Sequence, residues 1–333
     1  MKKFFDLSEQ RKLEIFNQVS NQTDLPPAAI EKDWWVTLTL KAIFALPFSE
    51  HIVFKGGTSL SKGWNLIERF SEDIDLAMGR KLFGYDNDLN SGQIRKLRRA
   101  SCKYISTVFF KKLESVLKNM GISNFELSVK DFDASDTDPV EVQLFYASIT
   151  EKSDYLNPRV LIEVGARSLM EPIEARPIQS MVGEAFSELE FADYPANIPI
   201  VLPKKTFLEK AFLLHEEFQR PRDKMKSERK SRHLFDLEKM MDTEHGKAAL
   251  KDFELYKSIV KHREKFTRLG GVDYAKHSPD RIDFIPPGEV IAEWKADYNK
   301  MCEYIIYGEP LSFPDLIERL IELKNRFRQI NPG

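Results

Sequence analysis

The 333-residue sequence predicts an α+β fold in which helices flank a mixed sheet and a mainly helical region follows. Two observations carry this. Short β-branched and aromatic runs ended by turn residues all fall in the first half, whereas apolar residues beyond residue 203 recur at helical spacing. Between them, residues 171–203 (EPIEARPIQS, then DYPANIPIVLPKK) are irregular and carry several prolines, which marks a boundary. The expected organisation is one domain over residues 1–200 and a helical one over residues 201–333.

Taken in order, residues 8–22 place Leu13, Ile15, Phe16 and Val19 at helical spacing. A turn at Asp24-Leu25-Pro26-Pro27 starts a second helix, AAIEKDWWVTLTLKAIFAL, whose Ile30, Trp34, Leu38, Leu40 and Ile43 fit a buried element. HIVFKGG reads as a strand running into a glycine turn. TSLSKGWNLIERF sets Leu60, Trp64 and Ile67 on one helical face, with Thr58 or Ser59 placed to cap it. EDIDLAM is a strand, and residues 91–119 make a long helix. Strand-like runs follow at 125–132, 140–148 and 159–167. The second half reads as helices: TFLEKAFLLHEEFQR, SRHLFDLEKMMD, AALKDFELYKSIVKHREKF, EVIAEWKADYNKMCEYIIYG and PDLIERLIELKNRFRQI.

Composition narrows the function classes. No run approaches the roughly 18 consecutive apolar residues of a membrane span, and Asp6, Glu9, Arg11 and Lys12 break up any signal-peptide core. Cys102 and Cys302 form neither a disulfide framework nor a zinc spacing, so the expected compartment is a reducing cytoplasm. A net charge of −2 excludes global attraction to a polyanion. Two local runs are basic, however: residues 94–103, with Arg95, Lys96, Arg98 and Arg99, and residues 219–232, with Arg220, Arg222 and Lys224. Each is either a nucleic-acid face or a solvated helix or loop.

The residues that carry chemistry sit in FKGGTSLSKGWNLIERFSEDIDLAM, residues 54–78. Asp73 and Asp75 alternate about Ile74, so a strand puts both carboxylates on one face and the isoleucine in the core. Paired hard oxygen ligands suit Mg²⁺ or Mn²⁺, although an Asp-x-Asp is also a common solvated strand end. Upstream, Gly56 and Gly57 allow close approach of a phosphate, and a helix opening at Thr58 and Ser59 aims N–H groups at an anion. The spacing is not that of a Walker A loop. Lys62, one turn on, either assists phosphate binding or is simply exposed.

Strand, Gly-Gly turn, helix and Asp-x-Asp strand in that order resemble the signature of DNA polymerase β-like nucleotidyltransferases. The runs IEKDWWVTLTLKAIF, FKGGTSLSK, SEDIDLAM, TFLEKAFLLHE and RHLFDLEKMM resemble the AbiEii/AbiGii toxin family of minimal nucleotidyltransferases over most of the chain. The resemblance implies a polymerase β-like mixed sheet, a nucleoside triphosphate substrate and a divalent ion on Asp73 and Asp75. It further implies that Lys210 contacts the nucleotide phosphates and that Asp236 is needed for activity. Read without it, Lys210 snorkels from an apolar helix and Asp236 partners the nearby Arg232. Glu163, flanked by Ile162 and Val164, is the candidate third carboxylate of the metal site, or a plain outward glutamate.

Family members act as growth-inhibiting toxins in abortive phage defence, paired with an antitoxin encoded beside them, and some relatives add nucleotides to tRNA 3′ ends. The expected activity is metal-assisted transfer of a nucleotide to an RNA or protein hydroxyl, with the basic runs facing RNA. Two other readings use the same residues: kinase-like transfer of a γ-phosphate, and nucleotide binding without catalysis.

Overall fold

The computed structural model describes residues 1–86, 88–132, 134–151 and 156–330. The chain forms two compact units. One comprises Met1–Trp64 and Phe70–Val201, and the other comprises Asn65–Arg69 and the chain from Leu202 onward.

The first unit is built on seven strands: β1 (Ile52–Lys55), β2 (Ile74–Met78), β3 (Phe125–Val129), β4 (Val140–Tyr146), β5 (Arg159–Gly165), β6 (Ile173–Ile178) and β7 (Ala196–Val201). They form one sheet in the order β3-β4-β5-β2-β1-β7-β6. β2 runs parallel to β5 and β1 parallel to β7, while the other neighbours are antiparallel, so the sheet is mixed as expected. The central strands bury Ile52, Phe54, Ile74, Leu76, Ile162 and Val164 almost completely.

Its helices are α1 (Lys2–Phe5), α2 (Glu9–Thr23), α3 (Pro27–Phe44), α4 (Gly56–Lys62), α5 (Ser91–Tyr104), α6 (Phe110–Asn119) and α7 (Met181–Ala185). Ser8 caps α2 by accepting from the Arg11 N–H, and Pro27 sits at the first turn of α3, where its missing N–H costs nothing. α3 is buried all round. Trp35 stacks on Tyr146 of β4 with ring centroids 4.8 Å apart, and Trp34 meets Trp35 edge-on at 5.2 Å. α5 and α6 run on through a π-helical turn at Ile105–Phe109.

The second unit packs α8 (Pro203–Phe218), α9 (Arg232–Met241), α10 (Glu244–Lys251), α11 (Phe253–Phe266), α12 (Ile291–Tyr304) and α13 (Phe313–Arg328). Its core includes Phe207, Phe212, Tyr256, Phe284 and Phe327, with Phe212 edge-on to Tyr256 at 4.8 Å.

Three local expectations are corrected. The helix expected over TSLSKGWNLIERF is only the short α4, which opens at Gly56 rather than at Thr58 or Ser59 and stops at Gly63. Asn65 follows in the left-handed region at φ 50°, which ends the periodicity. The stretch read as irregular, residues 171–203, contains β6, α7 and β7. Pro177 and Pro199 masked both strands, because proline lacks the ladder N–H and counts against a strand in sequence. AALKDFELYKSIVKHREKF divides into α10 and α11 at Asp252, whose carboxylate caps α11 by accepting from the Leu255 N–H at 3.0 Å.

Candidate active site

The glycine turn and the aspartates are one piece of structure. β1 ends at Lys55, and Gly56 follows with φ +83°, a conformation that disfavours any side chain. A Cβ built on Gly56 would lie 2.0 Å from Oδ2 of Asp75, so the carboxylate rests directly against the glycine. The antiparallel register sets Lys55 opposite Asp75, which is why the turn at the end of β1 meets that side chain.

The hydroxyls of the turn bind backbone. Ser59 donates to the Gly56 carbonyl at 2.8 Å and closes the first turn of α4. Thr58 donates to the Asp73 carbonyl at 2.5 Å and lies 2.9 Å from the Ser71 hydroxyl. Both side chains are buried. Their observed work is to fix the turn and to tie it to the segment that delivers Asp73. Lys62 is neither exposed nor free, because its ammonium is paired with the buried Asp33 of α3.

Asp75 belongs to a charged row across the sheet. Its neighbour on β1 is Lys55, its neighbour on β5 is Glu163, and Glu163 is paired with Glu141 on β4. Lys130 reaches Glu141 at 2.8 Å. Three carboxylates thus stand side by side with a lysine at each end. Burial, then the charge of Asp75, pushes the Glu163 carboxyl up to about 7, with Asp73 and Glu141 adding and Lys55 opposing. Glu163 therefore feels the charges of both Asp75 and Asp73.

That shift sets a pH dependence. The folded state holds the Glu163 proton more tightly than the unfolded chain, whose value is 4.5. Its relative contribution is therefore fully present below about pH 4.5 and is lost as pH rises through about 7. Glu163→Gln removes the repulsion, so the variant should outlast metal-free wild type by about 3 kcal/mol at alkaline pH. The margin should vanish near pH 4.5. Urea melts at several pH values check this, and a constant margin refutes it.

Among the described residues, no three His, Cys, Asp or Glu side chains converge tightly enough to hold a metal ion by themselves. The donors still fit a hard divalent ion. Mg²⁺ characteristically takes one or two carboxylates and completes its shell with water and substrate phosphate, so a pair such as Asp73 and Asp75 has the chemistry it needs.

In the second unit, the lysine and aspartate singled out from sequence are in direct contact. Nζ of Lys210 on α8 is 2.7 Å from Oδ2 of Asp236 on α9. Asp236 is fully buried, and its main partner is Arg69, whose Nε and Nη2 donate at 2.7 and 2.8 Å. Arg69 takes the place expected for Arg232. Burial opposes ionisation of Asp236, but Arg69 and Lys210 outweigh it and hold the carboxyl well below the usual range. Burial pushes the Lys210 ammonium down, and Asp236 only partly restores it. Nδ1 of His233 lies 3.4 Å from Nζ of Lys210. Burial and then Lys210 keep this imidazole neutral, so Nδ1 serves as an acceptor for the ammonium. Sequence reasoning missed both Arg69 and His233. The i, i+3 spacing of His233 and Asp236 on α9 was a usable signal.

The two basic runs differ. On α5, Ile94 and Leu97 are buried while Arg95, Lys96 and Arg99 are exposed, and Arg98 turns inward to act on Asp138. Arg95 lies 3.6 Å from Asp136. In the later run, Arg220 and Lys230 both bind Glu217, and Arg222 binds Glu293. Lys224 is exposed. Much of that run is neutralised locally.

A mixed sheet presenting Asp-x-Asp beside a glycine turn is the active-site frame of a nucleotidyltransferase. The chain belongs to the family described as nucleotidyl transferase AbiEii toxin of type IV toxin–antitoxin systems, which it matches over residues 39–319. Among solved structures it is similar to MenT4, a nucleotidyltransferase toxin from Mycobacterium tuberculosis, with 16% identity and a TM-score of 0.45. That likeness covers 98% of this chain and 99% of the other. No curated protein matches the sequence. Among the described residues, no helix is long and apolar enough to cross a membrane.

Proposed function

We propose that the protein transfers a nucleotide from a nucleoside triphosphate to a hydroxyl of RNA, with the 3′ end of a tRNA as the acceptor of choice. The observation that supports this most is the seat of Asp75 against Gly56 in a row of carboxylates whose Glu163 is pushed up to about 7. Such a row is built for cationic charge. Asp73 and Asp75 would hold a divalent ion, with Glu163 beside them as the candidate third donor, and the bound ion would lower the pKa of the acceptor hydroxyl and offset charge on the triphosphate.

The chain's own residues do the rest. Gly56 and Gly57 leave room beside the carboxylates for the triphosphate, and Thr58 and Ser59 hold the turn in shape. Lys210 makes the phosphate contact that family membership suggests, and Asp236 and Arg69 fix its ammonium. Arg95, Lys96 and Arg99 on α5 are the better RNA face, because the residues around Arg220, Arg222 and Lys224 are largely committed to carboxylates. The antitoxin is the partner that would restrain this activity.

Labelled nucleotides test the reading. Each of the four triphosphates, labelled on the α- or the γ-phosphorus, is incubated with protein, Mg²⁺ and total RNA. The α label should appear on RNA and the γ label in pyrophosphate. Transfer of the γ label instead establishes the kinase-like reaction. Retained nucleotide binding with no transfer to any acceptor, RNA or protein, leaves a nucleotide-binding protein without catalysis.

A further inference from the structure

Three consecutive charged residues of α3 are all buried: Glu31, Lys32 and Asp33 are each 3% exposed. Successive helical residues point about 100° apart, so they reach three different segments. Glu31 accepts from the Ser148 and Thr150 hydroxyls at 2.6 and 2.7 Å and from the Ile149 N–H at 3.0 Å. Asp33 pairs with Lys62 at the end of α4 and accepts from the Met181 N–H at 2.8 Å. Lys32 pairs with the buried Glu72 and donates to the Asn157 carbonyl at 2.8 Å.

Glu72 immediately precedes Asp73, and β2 begins only at Ile74. Asp75 is aligned by its ladder partners on β1 and β5, but Asp73 lies outside the paired strand. Side chains help to tie it down: Thr58 donates to its carbonyl, and Lys32 holds the residue before it.

Burying an ion pair costs desolvation that an apolar pair of similar size avoids, so stability alone is a weak reason for Lys32 and Glu72. We propose that the Lys32–Glu72 pair is a positioning device for Asp73, holding its carboxylate where a divalent ion can bind. Glu31 and Asp33 anchor α3 on either side of Lys32, so the lysine is presented from a fixed helix. The proposal rests on the reading of Asp73 as a metal ligand.

The test uses the full chain and Mn²⁺ alone, with free Mn²⁺ followed by electron paramagnetic resonance. Melting temperature and nucleotidyl transfer are measured alongside. Lys32→Met with Glu72→Met should melt close to wild type yet bind Mn²⁺ about tenfold more weakly, the usual range for groups that orient metal ligands. Its kcat should fall at least as far, with little change in KM for the nucleotide, and Lys32→Arg should restore both. If the double variant melts early, Glu72→Gln keeps size and hydrogen bonding and should still weaken Mn²⁺ severalfold. Wild-type Mn²⁺ affinity in Glu72→Gln, or in a stable double variant, overturns the proposal. Asp73→Asn separates the two levels. If wild type binds Mn²⁺ and Asp73→Asn binds it equally well, Asp73 is not a ligand, and the parent reading falls together with the pair.

Discussion

Gly56→Ala should lower nucleotidyl transfer on the order of a hundredfold while costing the fold only about 2 kcal/mol. The stability cost comes from the backbone, since φ +83° is a left-handed conformation in which a Cβ crowds the following carbonyl. The activity cost comes from Asp75. A methyl group on Gly56 would overlap its Oδ2 at 2.0 Å, and one of the two must move. The Asp75 main chain is held by strands on both sides, so the carboxylate is the part that yields. Combining Gly56→Ala with Asp75→Asn isolates the cause. If the glycine acts by seating the carboxylate, the double variant is no slower than Asp75→Asn alone. Additive losses would mean that Gly56 contributes by another route, such as room for the phosphates.

The contrast between Gly56 and Arg69 shows what a sequence does and does not display. Glycines, hydroxyls and alternating aspartates are local patterns, and strand periodicity alone placed Ile74 in the core, although β2 begins there and leaves Asp73 just outside it. The contact of Gly56 with Asp75 is a matter of register, which depends on how β1 and β2 pair. Arg69 lies 167 residues from Asp236, in a stretch whose apolar spacing mimics a helix that does not form. Nothing local marks it as the partner of a distant aspartate. Likewise, Lys62 reads as a phosphate contact or an exposed helix end until Asp33, distant in sequence, is found beside it. The fold was legible because apolar periodicity dominates it, except at β6 and β7, where prolines obscure the pattern. Charged residues paired over long separations carry no such signal.

Asp236→Ala should be the most destabilising single substitution in the helical unit, by about 3–5 kcal/mol, because it strands two buried cations. Arg69 and Lys210 both point at this carboxylate, and without it they face each other in a site that water does not reach. Asp236→Asn keeps an acceptor oxygen and should cost less. The depressed pKa gives the pH signature. Stability from the ionised Asp236 is present above its unfolded value of 3.8 and lost as pH falls through the lower folded value, so Asp236→Asn should flatten the acid limb of the melting curve. A triple variant, Arg69→Met, Asp236→Leu and Lys210→Met, then asks what the cluster is for. Apolar replacements of comparable volume should recover most of the lost stability, because the desolvation penalty disappears with the charges. Transfer of the α label should stay absent. If the triple variant is stable and active, the cluster is scaffolding, and the phosphate contact proposed for Lys210 is wrong. If it is stable and inactive, the protein carries these buried charges for the sake of the reaction.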